Sequence, residues 1–163
     1  VKHPYCKYAD DARNALAVYD DAYWKKISGT NTLEVYKDYL SAYPKGIHEE
    51  EAKKKIIDLK VDNIFNGKYK PVPSLVNNNN AYYSKESLVS IKNDSPYRLT
   101  VLYSGPDTKE VEIEPKGVTD IRLANGTYRI AVSTNVLGVS NFAGTQLLEG
   151  SIYELPFFIS QKR

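Results

Sequence analysis

The chain has 163 residues, 42% of them hydrophobic and 26% charged, the balance of a globular protein rather than a disordered one. Lys and Arg total 22 against 20 Asp and Glu, and neither half concentrates the basic residues, so the footprint of a nucleic-acid binder is missing. One cysteine, Cys6, rules out an intramolecular disulfide framework, and no apolar run approaches the roughly 18 residues of a transmembrane segment.

From Tyr8 to Ile27, the residues Ala12, Leu16, Tyr19, Tyr23 and Ile27 recur at intervals of three or four, which predicts a helix burying that stripe. Ser28-Gly29 ends it, and Thr30-Asn31-Thr32 offers N-cap oxygens to a second helix over 33–43, stopped by Pro44 and Gly46. A third helix is predicted from about His48 to Phe65, with Ala52, Ile56 and Ile64 on its apolar stripe.

Between Asn66 and Glu86 the periodicity breaks. Gly67, Pro71, Pro73 and the run Asn77-Asn78-Asn79-Asn80 favour extended and turn conformations, so 67–86 reads as a linker between a helical segment, 1–66, and a β domain, 87–163. Beyond it the period becomes two: Val89 and Ile91, Leu99, Val101 and Tyr103, Val111 and Ile113, Ile121 and Leu123, and Tyr128, Ile130 and Val132 all alternate with polar residues. Ser104-Gly105-Pro106-Asp107 and Pro115-Lys116-Gly117 are turn sequences, and Asn125-Gly126 is a two-residue hairpin signal, so 97–134 is expected to run as an antiparallel meander. Further strands are expected near 139–142, 146–148 and 151–159, with Pro156 confining the last to an edge or bulge. The expected fold class is α+β: three helices followed by an antiparallel, immunoglobulin-like β-sandwich.

The candidate chemistry is sparse. His48-Glu49-Glu50-Glu51 opens like a zinc-protease motif, but the position one turn on is Ala52 where a second imidazole would be needed. The three glutamates instead suit the positive end of a helix, with Lys53, Lys54 and Lys55 placed to pair with them. No nucleophile signature surrounds Cys6, and the stretch from Gly138 to Thr145 lacks the lysine of a phosphate loop, so no catalytic residue, metal or cofactor is expected. Arg98, Arg122 and Arg129 fall in the polar phase of the strands and read either as cross-strand partners of Glu110, Glu112 and Glu114 or as a strip for an acidic partner. Asn141, Phe142 and Gln146, near a strand connection, form a candidate recognition patch. Tyr82 and Tyr83, beside the asparagine run, suit either packing between segments or stacking on a sugar.

The stretch Trp24, Thr30-Asn31-Thr32, Tyr36, Tyr39-Leu40, Tyr43-Pro44, Gly46, His48, Ala52 and Ile56 resembles the helical-hairpin repeats, loosely related to tetratricopeptide repeats, of bacterial envelope and signalling proteins. Asn93, Tyr97-Arg98-Leu99-Thr100-Val101, Glu114-Pro115-Lys116-Gly117 and Asn125-Gly126-Thr127-Tyr128 look like small immunoglobulin-like modules of bacterial surface and periplasmic proteins. Together these resemblances imply an extracytoplasmic, non-catalytic module that interacts with protein or acts as a spacer. A glycan is the other partner the tyrosines and asparagines suit.

Overall fold

The computed structural model describes residues 5–78 and 85–158, with side chains from Tyr8 onward. Three helices, α1 (Tyr5–Ile27), α2 (Leu33–Ala42) and α3 (Glu49–Phe65), precede nine strands: β1 (Tyr69–Pro71), β2 (Val76–Asn77), β3 (Glu86–Asn93), β4 (Leu99–Ser104), β5 (Thr108–Ile113), β6 (Val118–Ala124), β7 (Gly126–Thr134), β8 (Asn141–Leu148) and β9 (Ile152–Phe157). The chain is thus α+β. It divides into two compact units between Leu59 and Lys60, within α3.

In the first unit, Trp24, Ile27, Tyr36, Tyr39, Ala52 and Ile56 form an aromatic-rich core. Trp24 meets Tyr39 edge-on at 5.0 Å and stacks on His48 at 4.9 Å. The stripe expected to be buried on α1 is corrected here: Ile27 is buried and Tyr23 half-buried, but Ala12, Leu16 and Tyr19 are exposed. The helix instead turns Asp20 and Trp24 inward, because Asp20 satisfies buried donors that an apolar residue would strand.

In the second unit the strands form two sheets, ordered β1-β8-β7-β4-β5 and β2-β9-β3-β6. Their inner faces share one core, with Tyr103, Tyr128, Phe157, Ile91, Leu99 and Leu155 fully buried in it. The sheets are mixed rather than antiparallel, since β1 runs parallel to β8 and β3 parallel to β9. The expected meander is also corrected. Only β4 and β5 form a hairpin within it, while β6 pairs with β3 in the other sheet and β7 with β4 and β8. Asn125-Gly126 is therefore a crossing between sheets. Gly126 takes a φ of 144°, and Asn125 is held to the start of β3 through its N–H on the Lys85 carbonyl and its Oδ1 on the Ser87 hydroxyl. Prolines and short pairings hide β1 and β2 from a period-two pattern, and they place parts of the segment read as a linker in the sheets. Pro156 sits on the side of β9 that faces β2, beyond the end of that two-residue strand, where no ladder donor is required.

Leu102, Ala131 and Ala143 point away from this core yet are buried. The last turns of α3 attach to the same outer face: Lys60 binds Glu110 at 2.6 Å, Asp62 binds Arg129 at 2.8 Å, and the Arg129 guanidinium lies 4.5 Å over the Phe65 ring.

Candidate functional site

Strand β8 pairs along its length with β7, but on its other side only Asn141–Ala143 are covered, by β1. The Val72 N–H donates to the Ala143 carbonyl, which fixes the direction in which Ala143 presents its backbone groups. Residues two apart in a strand point the same way, so the N–H and C=O of Thr145 and Leu147 also face the β1 side. Among the described residues no group bonds them there. The ladder ends because the chain, after the Val72 N–H, leaves the first sheet to reach β2 in the second.

The departure opens a groove of about 420 Å³ lined by Pro71, Val72, Ser74 and Leu75 on one side and Gly144, Thr145, Gln146 and Leu147 on the other. Two contacts set its width. The Gln146 Nε2 donates to the Pro73 carbonyl at 2.6 Å, and a Cβ on Gly144 would lie 2.5 Å from Val72 Cγ2. Once Nε2 is committed, Gln146 Oε1 is a buried acceptor with no partner among the described residues. The groove thus offers alternating backbone donors and acceptors and an apolar rim that includes half-exposed Leu147.

Of the residues singled out from sequence, Gln146 lines this groove. Asn141 and Phe142 lie on the same strand but not with it: Phe142 packs edge-on against Phe157 at 6.0 Å, and Asn141 starts the ladder opposite Tyr69. Arg98 reaches Glu112 and Glu114 in the cross-strand manner expected, whereas Arg129 turns to Asp62 of α3. Arg122 lies on the outer face of the four-stranded sheet opposite Leu88, where the two line a smaller hollow with Glu86, Ser87, Ser151 and Ile152. Tyr82 and Tyr83 lie outside the described residues. Pro71, Val72, Ser74 and Leu75 were missed as site residues. The two prolines flanking Val72 were the available signal, because they confine a paired segment to the edge of a sheet.

His48 serves the first unit's packing. Its ring stacks on Trp24, and its Nε2 sits 3.1 Å from Asp21 Oδ1. Lys25 and His48 hold the Asp21 carboxyl below the usual carboxylate range. Among the described residues no three His, Cys, Asp or Glu side chains converge as metal ligands, and no helix is long and apolar enough to cross a membrane.

Three helices with two mixed sheets define an α+β protein, with a groove along one strand edge. The chain belongs to the family described as Domain of unknown function (DUF6759), whose profile matches residues 49–153, from the first residue of α3 into β9. No curated protein matches it.

Proposed function

We propose that the chain is a non-catalytic protein-interaction module that takes up an extended polypeptide segment as an added strand along β8. The observation that carries this reading is the pair of backbone positions in an open groove, Thr145 and Leu147, that no group among the described residues bonds on that side. Alternate residues of a strand lie about 7 Å apart, and an extended peptide presents complementary C=O and N–H groups at that same spacing. Sugars and nucleotides have no such repeat. Val72, Leu75 and Leu147 select a segment with an apolar side chain facing them.

The module's architecture is read as a variant of the immunoglobulin-like sandwich. The order β8-β7-β4-β5 matches the G-F-C-C′ order of such domains, and β3 beside β6 matches B beside E. The Tyr128 hydroxyl donates to the Ala124 carbonyl at 2.9 Å at the crossing into β7, as the tyrosine at the E–F corner of these domains does. β9, parallel to β3, is an addition to that plan. The extracytoplasmic setting rests on the resemblance of the two sequence segments alone.

Selection of a random peptide display library on the intact chain tests the function. Enriched peptides should shift the amide resonances of Thr145 and Leu147. Binding should fall at least about tenfold in Thr145→Pro, which deletes one edge donor while leaving the N–H groups that face β7 in place. Peptides that bind elsewhere, or whose affinity ignores Thr145→Pro, would count against the reading.

A further inference from the structure

We infer that α1 is a self-association surface, pairing antiparallel with α1 of a second copy of this chain. The apolar residues that the first unit leaves uncovered on this helix are ordered. Tyr8, Ala12, Ala15, Tyr19 and Ala22 follow one another at intervals of four, three, four and three, the spacing of a coiled-coil seam. All five are exposed, with Tyr8 at 75% and Tyr19 at 69%, and the flanking Leu16 and Val18 are exposed at 60% and 68%. The helix's inward contacts use other residues, Asp20, Trp24 and Ile27, so the seam is available while the unit is folded.

The occupant follows from self-complementarity. When two copies of α1 lie antiparallel with Val18 facing Val18, Ala15 of each meets Tyr19 of the other and Ala12 meets Ala22. Each Tyr19 ring is thus accommodated by Ala15 of the other copy, which lets the helices approach closely. The same alignment sets Asp11 of one copy against Lys25 of the other, twice by symmetry. Lys25 holds Asp21 within its own helix at 2.6 Å, but its side chain is 74% exposed and free to serve the second carboxylate as well. In a parallel pair Asp11 would instead flank Leu16, and no charges would match. Charge therefore selects both the partner and its direction.

Sedimentation equilibrium on the full chain tests this. A dimer whose population rises with concentration is expected. Placing a carboxylate in the seam, by Ala15→Glu or by Tyr19→Glu, should weaken it about a hundredfold, since the two-fold pair then desolvates two such charges, one from each copy. Asp11→Lys and Lys25→Asp should each weaken it about tenfold, and the double variant should restore it. Trp24, the lone tryptophan, reports that every variant keeps the first unit folded, because its ring is stacked on His48. The proposal is overturned by a chain that stays monomeric at all concentrations, or by a dimer indifferent to Ala15→Glu and Tyr19→Glu. A dimer that the seam substitutions disrupt but the double charge reversal fails to restore overturns the antiparallel pairing.

Discussion

Tyr39 donates its hydroxyl to the buried carboxylate of Asp20 at 2.6 Å, joining α2 to α1. The other carboxylate oxygen accepts the Ile47 N–H at 2.7 Å, and the Tyr39 oxygen accepts the His48 N–H at 3.2 Å. One carboxylate and one phenol thereby satisfy the backbone donors of the turn into α3. Asp20→Ala strands the phenol and the Ile47 N–H together, and is expected to destabilise the first unit by about 2–4 kcal/mol. Tyr39→Phe should cost about 1–3 kcal/mol. Urea unfolding followed by Trp24 emission measures both.

The same contact makes this unit alkali-sensitive. Burial, with the Asp20 carboxylate beside it, pushes the Tyr39 phenol from 10.0 up to about 12. A group whose pKa is raised on folding contributes its stability in full below the unfolded value and loses it as pH rises through the folded one. The first unit should therefore weaken progressively between about pH 10 and pH 12. Tyr39→Phe should flatten that part of the profile, and an unchanged slope would remove Tyr39 as the cause.

Gly144 is where the groove's two walls meet. Gly144→Ala would set a methyl 2.5 Å from Val72 Cγ2, so the crossing between the sheets must move. The expected cost is about 1–3 kcal/mol by overpacking, with loss of peptide uptake. Val72→Ala removes the obstructing methyls, and the double variant should be more stable than the sum of the single changes predicts. Thermal unfolding of the four proteins gives the coupling directly; strict additivity would mean that the two side chains do not set the groove's width.

The helices were legible because their stripes are long. All three lie within a few residues of their expected ends. Which face of α1 is buried was not legible, since Asp20 is drawn inward by donors on α2 and in the turn before α3, partners that one helix's pattern does not contain. The long strands were legible from alternation, but their pairing was not. Asn125-Gly126 reverses the chain equally well within a sheet or between sheets, and only the hold of Ser87, Lys85 and Tyr128 on that corner decides it. The groove depends on the ends of two strands of three and two residues, too short to show any period. Gln146 was found by its place near a loop, and its neighbours required the fold.

The two arginines of the five-stranded sheet should separate in their effects. Arg98 bridges Glu112 and Glu114 with all three side chains at least half exposed, so Arg98→Ala is expected to cost less than about 0.5 kcal/mol. Arg129 pairs with Asp62 and lies over Phe65, contributing both charge and stacking. Arg129→Ala should cost about 1–2 kcal/mol. Arg129→Lys should recover only part of that, because an ammonium lacks the planar face that covers the ring. Urea unfolding of the second unit distinguishes them, and equal losses for Arg98→Ala and Arg129→Ala would show that the end of α3 adds nothing to the sheet's stability.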